Sequence, residues 1–170
     1  MLLFFAILLF LTIGLPALLF APWVPTRRRD FDRIAQLMQI QPGMVIMDLG
    51  CGTGGPIFDL ARRFPQAQFI GVELSLPLHL ICLIRSWTSG VKNMQFRFGN
   101  LLTTDISKAD RIYLFGVPKT LSTRLKEKFR REAKEQTRII SYCFEFENWK
   151  PEISLPSEGM LLPLFRYEKP

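Results

Sequence analysis

Apolar positions fall along this chain first as one unbroken stretch and then as short periodic runs. Leu2 to Phe20 is almost purely apolar, broken only by Thr12, Gly14 and Pro16. As a helix, Leu2 to Ala21 would be about 30 Å long, the thickness of a bilayer core. Phe31, Ile34, Leu37 and Met38 then recur at helical spacing behind Asp30, which is placed to cap them. After the Pro42-Gly43 turn, Met44 to Leu49 is a short apolar run suited to a buried parallel strand. Ile57, Leu60, Ala61 and Phe64 share one face of a second helix, and Gln68 to Val72 predicts a second strand. Pro77 suits the first turn of a helix with Leu78, Ile81, Cys82 and Arg85 on its inner face, stopped by Gly90. Met94, Phe96 and Phe98 alternate as a third strand. Ile112 to Phe115, Arg138 to Phe144 and Leu161 to Tyr167 predict three more. A helix over 119–134 carries Leu121, Leu125, Phe129 and Ala133 as a core stripe. Strands alternating with helices imply an α/β fold: a doubly wound, mostly parallel sheet with helices on both faces.

Charge sharpens this division. The first 26 residues contain no Lys, Arg, Asp or Glu, so all 22 basic and 15 acidic residues lie in the remaining 144. A cleavable signal peptide fits poorly, because the head lacks a basic start and a small-x-small cleavage site. The expected division is therefore a transmembrane anchor over 1–22, contacting lipid through residues 2–21, and a single domain over 23–170. Trp23 suits the headgroup region. Arg27, Arg28, Arg29 and Arg33 follow it, and the positive-inside rule places the domain of this single-pass protein on the cytoplasmic side. Four Arg against Asp30 and Asp32 give 27–33 a net +2; eight basic residues against three acids give 119–138 a net +5. These stretches match the formal net charge of +7. The second is either a solvated helix face or a contact for anionic lipid. Nucleic acid is not expected, since no groove-reading motif or aromatic stacking platform accompanies the charge. Three scattered cysteines and one histidine, His79, without a CxxC, imply neither a disulfide scaffold nor a zinc site.

The chemistry concentrates in MDLGCGTGG, residues 47–55. A strand ends in Asp48, then Gly50, Gly52 and Gly54 alternate around Cys51. Glycines permit positive φ and close approach of a ligand at the carboxyl edge of the sheet. A dinucleotide site more usually reads GxGxxG and receives a pyrophosphate. Here an acid precedes a GxGxG pattern; it repels phosphate and suits a cation bearing an ammonium group, as S-adenosylmethionine does. Glu73, 19 residues after Gly54, ends the second strand, where a carboxylate can accept both ribose hydroxyls. Gly99-Asn100 ends the third strand; Asn100, followed by Leu101, is a candidate for the adenine edge or a simple turn residue. Cys51 suits the loop by size, and His79 falls off the expected inner face of its helix, as a surface or boundary residue does.

These motifs resemble the class I, seven-strand, S-adenosylmethionine-dependent methyltransferases, whose fold is a Rossmann-like sheet; this chain would be a short version. A narrower resemblance rests on the apolar head followed by WVPT (23–26), VIMDLGCGTG, NLLTTDISKADRIYLFGVP (100–118) and LKEKFRREAKEQTRIISYCFEFENWKP (125–151). These segments are similar to the membrane-anchored protein-lysine methyltransferases of adenine nucleotide translocase and ATP synthase c subunit, and to their prokaryotic relatives. The resemblance implies a methyl acceptor on a membrane or membrane-proximal protein. It places cofactor contacts at Asp48, Gly50, Cys51, Gly52, Gly54, Glu73, Asn100 and Leu101, and the acceptor at Phe115, Gly116, Val117 and Pro118. The chain departs from that pattern at Thr53 and Gly55, at Ser75 with Leu76-Pro77, and at Asn100. A lysine acceptor must lose its proton, and a desolvated channel beside a sulfonium would lower its pKa without a dedicated base. Phe115 is expected either to line that channel or to fill core. Trp149 is expected either to close the acceptor side or to anchor packing. Residues 23–26 would link the anchor to the domain or fold back onto the cofactor. The alternatives are a small-molecule or lipid N-methyltransferase, and a non-catalytic cofactor-binding subunit of a membrane complex.

Overall fold

The computed structural model describes residues 1–9, 24–116 and 119–169. Most of the expected bilayer span, together with Trp23, Val117 and Pro118, lies outside the described residues. Helix α1, Leu2–Leu9, is uniformly apolar. Among the described residues no helix is long and apolar enough to cross a membrane.

The domain alternates as its hydrophobic pattern predicts. A short 3-10 turn, Arg28–Asp30, leads into α2, Phe31–Met38; then come β1, Val45–Leu49, α3, Gly55–Arg63, β2, Gln68–Glu73, and α4, Leu76–Ser89. After β3, Met94–Phe98, the chain continues through β4, Arg111–Phe115, α5, Lys119–Glu132, β5, Arg138–Tyr142, β6, Ile153–Leu155, and β7, Leu164–Glu168. The seven strands lie in the order β3-β2-β1-β4-β5-β7-β6. β1 to β5 are parallel, and β7 runs antiparallel between β5 and β6. The order reverses between β1 and β4, and the crevice at their carboxyl ends is where such sheets bind ligands.

Two apolar layers sandwich the sheet. On one face α2, α3 and Cys82 of α4 pack on Ile46, Phe69, Tyr113, Ile140 and Tyr142. On the other, Leu121, Leu125 and Phe129 of α5, with Ile106 and Ala109, cover Met47, Ile70, Ile112 and Ile139. Burial on both faces explains why β1 and β4 read as continuous apolar runs rather than alternating ones.

Several local expectations are corrected. Asp30 makes no capping bond; it is fully buried, accepting a hydrogen bond from the Tyr142 hydroxyl at 2.6 Å and pairing with Arg33 at 3.1 Å. β5 stops at Tyr142 rather than Phe144, because Cys143 takes a φ of 72°. The last strand begins at Leu164, just after Pro163, and the short β6 was not expected. α4 is turned so that His79 and Cys82 are buried while Ile81 is exposed. Trp149 is a packing anchor: its ring lies 4.6 Å from that of Tyr167 and 5.2 Å from that of Phe146.

Candidate active site

The loop between β1 and α3 folds back over the end of β2. Gly50, Gly52 and Gly54 take φ of 85°, 57° and 75°, which L side chains rarely adopt. A Cβ on Gly54 would also lie 2.8 Å from the Phe96 ring. The Gly50 and Cys51 N–H groups both donate to the Val72 carbonyl, at 2.8 and 3.0 Å. α4 braces the loop from beneath: the Cys82 thiol donates to the Gly52 carbonyl at 3.1 Å, and the Arg85 guanidinium donates to the Thr53 carbonyl. Arg85 also lies 4.2 Å over the Phe58 ring. The Cys51 thiol is pushed well up by its hydrogen bond with Cys82 and by burial, which keeps it protonated and inert.

Two carboxyls face this loop. Glu73 accepts the Gly52 N–H on Oε2 and the Ser75 N–H on Oε1, both at 2.7 Å. The two oxygens offer about four acceptor directions, more than these donors and the Leu74 N–H occupy, so the carboxylate can brace the loop and still accept from a ligand hydroxyl. Burial raises its pKa, against the lowering effect of its backbone donors. Asp48 is 3% exposed, and its Oδ2 has no hydrogen-bond partner. Burial, then the neighbouring Glu73 charge, hold its carboxyl well above the usual range. An orphaned buried carboxylate beside a second acid lacks a cation, and a ligand ammonium or sulfonium would supply one.

The adenine side is less open than the sequence suggests. Asn100 Oδ1 accepts the Leu102 N–H at 2.9 Å and its carbonyl accepts Thr103 and Thr104, so Asn100 builds the turn after β3. Leu101 is half-buried against the α5 side of the core. Beside Glu73, Ser75 Oγ and His79 Nδ1 are buried without partners. Burial lowers the His79 pKa, and its ring sits 5.8 Å from that of Phe98. His79 is therefore a buried neutral imidazole rather than a surface residue.

A cleft of about 360 Å³, its open mouth included, is lined by Asp48 and the glycine loop, by Pro56, by Tyr113 and Phe115 of β4, and by Val24, Pro25 and Thr26; Glu73, on the β2 side of the loop, is not among its lining residues. The segment before the domain thus folds back: Thr26 Oγ1 and the Tyr113 hydroxyl are hydrogen-bonded at 2.8 Å. Tyr113 stands beside Asp48 in register, which follows from its place on β4 at the switch point. Burial, then the Asp48 charge, raise its pKa well up, so its hydroxyl stays protonated. Phe115 packs edge-on to Tyr142 at 4.8 Å and borders the cleft. Gly116 follows with a φ of 72°. Tyr113, Thr53, Gly55 and Pro56 are site residues that the sequence pattern does not single out; Tyr113 sits in the middle of β4, where it reads as one more buried strand residue.

Comparison with known proteins fits this geometry. The family described as the ANTKMT methyltransferase domain matches residues 48–153. A protein-lysine N-methyltransferase from Saccharolobus islandicus is 30% identical over 132 residues, 77% of this chain and 81% of that protein. The crystal structure of an RNA methyltransferase from Salinibacter ruber in complex with S-adenosyl-L-homocysteine superposes with a TM-score of 0.80 and 26% identity, covering 86% of this chain and 94% of that one. A tRNA (guanine-N(7)-)-methyltransferase from Porphyromonas gingivalis is 31% identical over 74 residues, but the chain spans only 28% of its length.

Proposed function

This chain belongs to the ANTKMT methyltransferase domain family and is an S-adenosylmethionine-dependent methyltransferase; we propose that its methyl acceptor is a lysine side chain of a membrane or membrane-proximal protein. The observation that carries this reading is that Val24, Pro25 and Thr26 line the cleft. If residues 2–21 form a single bilayer span, only Pro22 and Trp23 separate its end from the cleft. An extended chain advances at most about 3.6 Å per residue, so the cleft is held within about 10 Å of the bilayer surface. Arg27, Arg28 and Arg29 then mark the cytoplasmic side. An enzyme so tethered meets acceptors in the same bilayer at high effective concentration.

When bound, S-adenosylmethionine supplies an electrophilic methyl on a sulfonium. Asp48 holds the ammonium of the amino-acid tail, Glu73 holds the ribose diol, and the glycine loop lets the backbone approach closely. Tyr113 and Phe115 wall the acceptor side, where aromatic faces accommodate a lysine's apolar stem and cationic head. Apart from the buried Asp48, no acid or imidazole lines the cleft among the described residues. The acceptor amine therefore loses its proton through desolvation, and the chain's contribution is to align it and exclude water. The protein-lysine relative supports this acceptor class.

A second reading, RNA as acceptor, is favoured by the Salinibacter ruber neighbour and by the net +5 of residues 119–138. Incubating the full-length protein with methyl-labelled cofactor, membranes and RNA from its source decides between them. The lysine reading predicts label in protein, recovered as methyl-lysine after acid hydrolysis. Label confined to lipid or to RNA overturns it.

A further inference from the structure

α4 leaves an apolar stripe in water. Leu76, Leu80, Leu83, Ile84 and Trp87 are all exposed, Ile84 at 62% and Trp87 at 89%. At 100° per residue they fall within an arc of about 100°, the width of a helix face that normally packs against something. The opposite face, with His79 and Cys82, is the one buried against the sheet. The stripe presents on the order of 500 Å² of apolar surface, at the upper end of what a monomer leaves uncovered.

The surroundings indicate what covers it. From Leu74 to Thr104 there is no Asp or Glu, while Arg85, Lys92 and Arg97 give that segment a net +3. Arg85 is engaged by the Thr53 carbonyl and the Phe58 ring, which leaves Lys92, just after α4, as the exposed cation beside the stripe; Arg97 alternates on β3 with Phe96 and Phe98, which meet Phe58 and His79, and so faces the other side of the sheet. An apolar helix face that ends in an exposed Trp, is followed by the exposed Lys92 and has no acid nearby in sequence has the chemistry of an interfacial helix on an anionic bilayer. The same chain exposes Leu3, Phe4 and Phe5 on α1. A symmetric pair of such stripes would bury roughly 1,000 Å² in total, short of the 1,200–2,000 Å² of a stable dimer.

We propose that the exposed face of α4 is a lipid-contact surface, lying along an anionic bilayer with Leu80, Ile84 and Trp87 at the acyl boundary. The proposal rests on the membrane part of the reading above and is independent of the acceptor's identity. The stripe begins at Leu76, directly after the Glu73–Ser75 turn, and runs about 16 Å to Trp87. Lipid contact there fixes the rotation of the domain about its anchor and turns the cofactor cleft to one side of the bilayer surface.

The test uses the full-length protein in vesicles of equal phosphatidylcholine and phosphatidylglycerol, with and without brominated acyl chains. The emission of Trp87 is taken as the difference between wild type and Trp87→Phe. Bromination is expected to reduce it at least twofold, and the double substitution Leu80→Asp with Ile84→Asp should abolish that quenching while cofactor affinity is unchanged. Unquenched Trp87 emission in protein that floats with the vesicles overturns the proposal. So does efficient cross-linking of the Trp87→Cys variant into dimers without quenching, which assigns the face to a second copy. Retention after carbonate extraction reports on the anchor separately, so failure of the anchor and failure of the α4 contact are distinguishable.

Discussion

Asp48→Asn separates two consequences of burying an unpartnered carboxylate. Without cofactor, Asp48 sits out of water with no partner for Oδ2, and burial, then the nearby Glu73, disfavour its charged form. A buried unsatisfied polar group costs about 1–3 kcal/mol, and a charged one more. The amide retains part of that cost, so D48N should stabilise the cofactor-free protein by about 1 kcal/mol, or about 2–4 °C in Tm for a domain of this size. The same change removes a charge-assisted contact to the cofactor, worth about 1.5–3 kcal/mol, so the Kd for S-adenosylhomocysteine should rise about 10- to 150-fold. Thermal melting without ligand and calorimetry with it read the two effects. The pH dependence has a defined sign. A carboxyl raised on folding contributes most stability below its unfolded pKa, near 3.9 for Asp, and loses it as pH rises toward the folded value. Acidification into that window should therefore narrow the gap in Tm between D48N and wild type, while weakening cofactor binding in wild type. A D48N protein that melts lower and binds with unchanged affinity would refute the reasoning.

Glu73 braces Gly52 and Ser75 as well as facing the ribose; Glu73→Ala should weaken cofactor binding about 100-fold or more and lower Tm, while Glu73→Gln should keep more of the Tm than of the affinity. Calorimetry beside circular dichroism checks this, and equal loss of both in Glu73→Gln would assign the residue to folding alone. Gly71→Ala puts a Cβ 2.6 Å from the Phe96 ring and 2.8 Å from Cys51 Sγ, so overpacking should cost about 1–3 kcal/mol in denaturant titration; an unchanged midpoint contradicts it. A truncation at Trp23 should bind cofactor like the full chain, whereas one at Arg27 loses Thr26 and its bond to Tyr113 and should bind several-fold more weakly; equal affinities would remove residues 24–26 from the site. Trp149→Ala should destabilise the domain by about 3–5 kcal/mol with cofactor Kd unchanged, and a selective loss of affinity would return Trp149 to the acceptor side.

The parts of the site that could be read from sequence are those where chemistry and backbone coincide locally. Asp48, the alternating glycines and the acid closing the next strand form one strand-turn-helix-strand unit, and their spacing alone brings them together. Tyr113 was hidden because it comes from the strand beyond the switch point, more than sixty residues from Asp48. Cys82 and Arg85 are legible in the sequence only as inner-face residues of α4, because they act through the loop's carbonyls, which no side-chain pattern reveals. α4 was misjudged for a different reason: Leu76-Pro-Leu-His-Leu-Ile-Cys-Leu-Ile is apolar nearly all round, so periodicity does not choose a face. The bond from Cys82 to Gly52 and the contact of His79 with Phe98 choose it. Asp30 looked like a helix cap because it precedes a periodic run; its partner, Tyr142, lies on β5, 112 residues away.

The most direct measurement of the central claim is a crystal structure with S-adenosylhomocysteine bound. The account predicts the ligand's amino group within hydrogen-bond distance of Asp48 Oδ2, both ribose hydroxyls on Glu73, and the sulfur facing the wall formed by Tyr113 and Phe115. A ligand bound elsewhere, or one seated in the cleft with Asp48 Oδ2 still unpartnered and Glu73 contacting only Gly52 and Ser75, would contradict it.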